Sequence, residues 1–175
     1  MRTYIRTRSA GGTYFFTVNL AERKARLLTE HIIELREAFR RTRRDHPFLL
    51  DAIVVLPDHL HCLWTMPDGD DDYPTRWRLI KSRFSRGIAH GEWVSNSRRR
   101  KGERGIWQRR YWEHLIRDDH DYRVHADYIH YNPVKHGHAA SPADWPYSTF
   151  HRWLDRGTYP PGWGGSHETM THEPE

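Results

Sequence analysis

The chain has 175 residues, a formal net charge of +5 and a single cysteine, Cys62. That length supports one domain with a real core, and one cysteine excludes an internal disulfide or a cysteine-built zinc site and suits a reducing cytoplasm. No apolar run approaches the roughly 18 residues that span a bilayer, so neither a membrane helix nor a secretory leader is expected. Hydrophobic residues make up 37 %, but aromatics reach 13 % with eight Trp, which argues for a folded chain with a polar surface. The pI is near 9.5. The excess is mostly Arg, whose fork fits phosphates and stacks on bases, so a polyanionic partner, nucleic acid first, is favoured.

In chain order, residues 12–20 (GTYFFTVNL) alternate, with Tyr14, Phe16, Val18 and Leu20 on one face and Phe15, Thr17 and Asn19 on the other; this predicts a half-buried strand. Residues 27–45 place Leu28, Ile32, Leu35 and Phe39 at helical spacing. Residues 48–57 (FLLDAIVVLP) read as a buried strand, and Pro57-Asp58 turns it into the next, 59–66 (HLHCLWTM). A second amphipathic helix, 77–88, turns Trp77, Ile80, Phe84 and Ile88 inward and Arg78, Lys81 and Arg86 outward. A basic loop, 95–105, leads to a fourth strand within 106–116. A helix over 118–132 is capped by Asp118 and Asp119 and closed by Pro133. The tail from Pro142 is rich in aromatics without a long periodic element, and it is expected to lie over the site.

This order, β-α-β-β-α-β and then a helix, predicts an α+β fold: a ferredoxin-like split-βαβ antiparallel sheet with helices on one face and a free face opposite. Side chains on a strand repeat every two residues. Leu60, Cys62, Trp64 and Met66 then face the helices, and His59 and His61 share the free face.

Two imidazoles two apart can bind one divalent ion but make a weak site alone. Tyr128 and Asn132, at i and i+4 of the last helix, lie on one side of it. A phenol beside a metal-held phosphate is a nucleophile, because the ion withdraws charge from a non-bridging oxygen and orients phosphorus for in-line attack. The Asn132 carbonyl oxygen can complete the coordination. Tyr122 and Tyr131 are rival tyrosines, with packing the expected role of Tyr131. His125 is expected to be a solvated helix histidine, though it could accept a proton, and His114 to reach the free face only in one strand register.

His59-Leu60-His61 followed by Tyr128 and Asn132-Pro133 resembles the single-tyrosine HUH transposases, and most closely the REP-associated tyrosine transposases. The segments that carry the resemblance are 11–20, 54–64, 76–84, 106–118, 127–137 (DYIHYNPVKHG) and 144–152. The resemblance implies a ferredoxin-like catalytic domain over 1–140 with a C-terminal tail, 141–175, packed on it. It implies His59, His61 and Asn132 as ligands of Mg²⁺ or Mn²⁺ and Tyr128 as the nucleophile. Asn132 stands where a Gln fills that place in insertion-sequence relatives, and Pro133 biases it away from helical geometry. The implied substrate is single-stranded or hairpin DNA of REP-like palindromes, cut through a 5′-phosphotyrosine and rejoined by reversal. The implied setting is cytoplasmic, with a monomer favoured over a swapped dimer. A catalytically silent hairpin-binding protein is the alternative.

The cations predicted to touch DNA are Arg98, Arg99, Arg100, Lys101 and Arg104 of the basic loop, together with Arg78, Lys81, Arg109 and Arg110. Trp77, Trp93, Trp107 and Trp112 are candidates either for stacking on unpaired bases or for the core.

Overall fold

A computed structural model of the chain describes residues 8–165, so the ends of the 1–140 and 141–175 spans lie outside the described residues. Four strands, β1 (Thr13–Asn19), β2 (Leu49–Val55), β3 (His59–Thr65) and β4 (Trp112–Leu115), form one antiparallel sheet in the order β2-β3-β1-β4. Helices α1 (Leu27–Glu30) and α2 (Ile32–Asp45) connect β1 to β2. Helices α3 (Tyr73–Gly87) and α4 (Asn96–Arg100) connect β3 to β4, and α5 (Asp119–Lys135) and α6 (Phe150–Asp155) follow. The strand order is that of a ferredoxin-like α+β fold.

Register decides what each face carries. Tyr14, Phe16 and Val18 of β1 stand beside Trp64, Cys62 and Leu60 of β3, and all six are buried under α2 and α3. Trp64 stacks on Trp77 of α3 with centroids 4.4 Å apart, and Phe39 of α2 packs against both. Each large side chain removed from water here contributes about 1.5–3 kcal/mol. The opposite face presents Phe15, Thr17 and Asn19 beside Leu63, His61 and His59. It is not left free. Helix α5 crosses it, burying Ala126 and Ile129 against Phe15, Ala52, Val54 and Leu63. With both faces covered, β1 is a central strand, and Phe15 is as buried as its neighbours.

Several boundaries differ from expectation for identifiable reasons. Residues 27–45 form two helices, broken at His31 (φ −115°, ψ 41°). The first turn is tied to the hairpin between β2 and β3, where the Leu28 N–H donates to the Pro57 carbonyl at 3.2 Å. Helix α3 starts at Tyr73, because Asp72 accepts the Thr75 N–H and Pro74 sits in the first turn. The basic loop contains α4, which Ser95 caps. Of residues 106–116 only Trp112–Leu115 is strand, since Trp107 turns its indole to the Lys81 carbonyl and packs under α3.

Helix α5 is not closed by Pro133 but runs through it to Lys135. Pro133 lacks the N–H that the Ile129 carbonyl would accept. The turn beyond is closed by the His136 N–H on the Asn132 carbonyl (3.0 Å) and the His138 N–H on the Pro133 carbonyl (2.8 Å). Asn132 therefore stays helical, and its side chain is fully buried.

The tail pairs with the outer edge of β2. The Val55 N–H donates to the Tyr147 carbonyl (2.8 Å) and the Thr149 N–H to the Ile53 carbonyl (2.9 Å). The indoles of Trp145 and Trp153 donate to the carbonyls of Val55 and Asp51. This covers an edge that would otherwise expose unpaired backbone groups. The described tail thus braces β2 and a flank of α5, where Tyr159, Thr149 and Trp153 surround His130.

Candidate metal and tyrosine site

The two histidines of β3 are fixed from behind. Asp58, in the turn before the strand, hydrogen-bonds His59 Nδ1 at 2.7 Å and is itself held by Arg23 at 2.9 Å. Thr17, directly across on β1, hydrogen-bonds His61 Nδ1 at 2.8 Å. With Nδ1 occupied in each ring, Nε2 is the nitrogen left for another partner. Burial lowers the pKa of His59 against the opposing pull of Asp58, and burial lowers that of His61 far more. Both rings are thus neutral near pH 7, the form that binds a metal. Their centroids lie 5.0 Å apart at 85°.

Helix α5 brings the phenol. The Tyr128 ring stands 5.2 Å from the His61 ring and 6.0 Å from Phe15, and the Lys135 ammonium lies 4.9 Å over it. One turn on, Asn132 is buried with neither Oδ1 nor Nδ2 hydrogen-bonded, and His61 Nε2 is likewise buried without a partner. A buried polar atom left unpaired costs about 1–3 kcal/mol. Two orphaned acceptors on facing elements are therefore a donor set that a divalent ion suits: imidazole nitrogen from His59 and His61, amide oxygen from Asn132. One chain supplies the two histidines, the asparagine and the tyrosine.

Other candidates have different environments. His125 is not solvated; it is 2 % exposed, shares a hydrogen bond through Nδ1 with the Asp121 carbonyl (2.8 Å), and burial lowers its pKa. His114 does face this side of the sheet, opposite Phe15, and hydrogen-bonds Asp121 at 2.8 Å. Burial works to raise the Asp121 carboxyl, but Arg117, His114 and a backbone N–H together hold it below the usual carboxylate range. His114, Asp121 and His125 lie close enough to hold an ion, yet Arg117 already occupies Asp121. Tyr131 packs against Trp163, and burial beside Asp51 pushes the Tyr122 phenol to about 12.

Sequence reasoning missed Asp58, Thr17 and His136. The register of β1 on β3 identifies Thr17. His136 is visible as the i+8 partner of Tyr128 once α5 is known to pass Pro133, and its ring lies 5.4 Å from that of His59.

The cations divide by what they already hold. Arg104 is spent inside the fold: it pairs with Glu92 (2.6 Å), dropping that carboxyl to about 2, and donates to the carbonyls of Ser85, Ile88 and Ala89. Arg98 donates to the carbonyls of Arg104 and Trp107, Arg109 pairs with Glu103, and Lys81 donates to the Gln108 carbonyl. Arg78, Arg99, Arg100, Lys101 and Arg110 are exposed. An open cleft of about 790 Å³ between α3 and the segment before β4 is bordered by Arg78, Lys81, Arg98, Arg104 and Arg109. Trp77 and Trp107 are core, whereas Trp93 (82 %) and Trp112 (40 %) are exposed.

Fold and site together define an α+β protein whose His-x-His strand faces a single-tyrosine helix over one antiparallel sheet. No protein-family model matches the chain. It is 49 % identical over 165 residues to the REP-associated tyrosine transposase of Escherichia coli K12, covering 94 % of this chain and 92 % of that one. A putative REP-associated tyrosine transposase of Haemophilus influenzae is 47 % identical, with 95 % of each covered. A solved REP-associated tyrosine transposase bound to a REP hairpin superposes with a TM-score of 0.81 at 47 % identity, covering 98 % of this chain and 96 % of the other. The chain belongs to the REP-associated tyrosine transposases. Among the described residues, no helix is long and apolar enough to cross a membrane.

Proposed function

We propose that the protein binds REP-like DNA hairpins and cuts and rejoins single-stranded DNA through Tyr128, with His59, His61 and Asn132 holding Mg²⁺ or Mn²⁺. The observation that carries this is the approach of Tyr128 to His61 at 5.2 Å in one chain, beside the orphaned His61 Nε2 and Asn132 Oδ1. The solved relative, which is bound to a REP hairpin, supports the choice of hairpin DNA, and a substrate of that kind fits a cytoplasmic setting.

The Tyr128 oxygen attacks the DNA phosphorus and loses its proton. The P–O3′ bond breaks, the phosphate stays on the tyrosine as a 5′-phosphotyrosine, and the 3′ oxygen takes a proton as a free hydroxyl. Attack of a 3′ hydroxyl on the same phosphorus reverses the step, so no nucleotide cofactor is consumed. A bound divalent ion supplies charge withdrawal from a non-bridging phosphate oxygen. The partly buried Tyr128 packs against the apolar cluster of Phe15 and Leu63, with Phe15 in edge contact at 6.0 Å, which limits its search for in-line geometry. Trp112, exposed on the β4 edge and on the histidine side of the sheet, offers a face for an unpaired base. The exposed cations of the cleft and of α4 take hairpin phosphates, and Arg98 and Arg104 support that surface from beneath. The hairpin then passes around β4 from the α3 side to the tyrosine.

The test is Tyr128→Phe on a labelled hairpin with Mn²⁺. The covalent adduct should vanish while hairpin affinity stays within about twofold, since one hydroxyl is removed. His59→Ala and His61→Ala should lose cleavage and its dependence on the ion. An adduct on the Phe variant removes Tyr128 from the role. Hairpin binding without any adduct in the native chain identifies a silent binder.

A further inference from the structure

We infer that Lys135 is a further catalytic residue: its ammonium binds a non-bridging oxygen of the phosphate that Tyr128 attacks and keeps hold of it in the phosphotyrosine. The assignment rests on the Tyr128 reading above. Tyr128 and Lys135 are seven residues apart on α5. That is close to two turns, about 10.5 Å along the axis, so both stand on one side of the helix. Helical side chains lean towards the N-terminus. The long Lys135 side chain accordingly reaches back and sets its ammonium over the Tyr128 ring, 4.9 Å from the centroid. The passage of α5 through Pro133 makes this approach possible, because it keeps Lys135 in helical register with the tyrosine.

The same charge is felt by the neighbouring imidazoles. Burial is the main cause of the lowered pKa values of His61 and His136, and the Lys135 charge adds to both. Lys135 is exposed, so its ammonium is free to swing from the ring face to a phosphate, which is a stronger partner than an exposed ring. A phosphodiester carries one negative charge, and attack by the tyrosine oxygen raises the charge around the five-coordinate phosphorus to two. A fixed cation therefore binds the transition state more tightly than the substrate, which is the condition for raising the rate. Lys135 gives up no proton in this role. The bond made is from the Tyr128 oxygen to phosphorus, and the bond broken is P–O3′. A lysine in the last helical turn also suits the helix dipole, but that role acts on stability and leaves the chemical step alone.

Single-turnover cleavage of a labelled hairpin at saturating Mn²⁺ tests this with Lys135→Met, which keeps an apolar stem and removes the charge. Adduct formation should slow about 100–1000-fold, as for the loss of one donor to a developing oxyanion, and rejoining should slow equally. Hairpin affinity should stay within about fivefold, since at most one phosphate contact is lost. Lys135→Arg restores the charge and should recover at least about a tenth of the native rate. Mn²⁺ binding to the DNA-free chain should not weaken in Lys135→Met, because a cation beside the site opposes the ion. Circular dichroism verifies the fold of both variants. A Met variant within about threefold of the native rate overturns the assignment, as does an Arg variant no faster than the Met variant. Weaker Mn²⁺ binding whose effect on the rate excess Mn²⁺ repairs places Lys135 with the ion instead, and overturns it too. In each of these cases loss of the adduct in Tyr128→Phe leaves the proposed function standing; an adduct on that variant removes both readings.

Discussion

Asp58 and Thr17 decide what His59 and His61 can do. Each occupies Nδ1 and so aims the opposite nitrogen, and Asp58 is steadied by Arg23. Replacing Asp58 by Asn should keep the strand but weaken the hold on the tautomer, with Mn²⁺ affinity falling about 10–100-fold in calorimetry; an unchanged affinity would show that His59 needs no support. The pair itself was legible in the sequence, because alternation along HLHCLW places both rings on one face. Their supports were less so. Thr17 is 44 residues from His61, and only register brings them together. Arg104 shows the same limit in reverse: a basic run reads as solvated or as phosphate-binding, whereas its guanidinium ties Glu92 to three carbonyls.

Helix α5 carries both the proposed nucleophile and a histidine that matters for stability. On its flank His130 is fully buried between Thr149 and Tyr159, and burial drops its pKa to about 3. The folded value lies below the ordinary 6.5, so the unfolded chain binds the proton first as pH falls. Stability is therefore complete above pH 6.5 and is lost between 6.5 and about 3, by about 1.4 kcal/mol per pH unit for this one group. His59, His61 and His125 are lowered too and steepen the same limb. Urea unfolding at a series of pH values should give His130→Gln a limb shallower by about one proton; an unaltered slope would exclude His130 as a contributor. The existence of α5 was readable from its acidic cap, Asp118 and Asp119. Its passage through Pro133 was not, because proline's local preference argues for an end there and tertiary burial of Asn132 overrides it. Nor was its place across the second sheet face, since Ala126 and Ile129 find their partners on β1, β2 and β3.

At the scale of the molecule, the basic cleft borders α3 and the tyrosine site occupies the other side of the sheet, with β4 between them. Hairpin binding should weaken steeply with salt. Replacing Arg99 and Arg100 together by Ala should make the log–log slope shallower by roughly 1.5, about 0.7–0.9 for each phosphate released. Filter binding across a salt series reads this, and parallel slopes would clear α4 of phosphate contact. The element order and the ferredoxin-like sheet were legible because each strand and helix carries its own period. The cleft was not, since its walls come from α3 and from a segment that only looked like strand.

Housing the phenol and the imidazoles in a single polypeptide also fixes the stoichiometry of the proposed reaction. If Tyr128 acts as proposed, a molecule that has captured a 5′ end has no second tyrosine beside the His59–His61 pair among the described residues, so it stays occupied until another terminus displaces the first. Excising a segment at both of its borders then requires two molecules acting in concert or one acting twice, with the first break healed before the second is made.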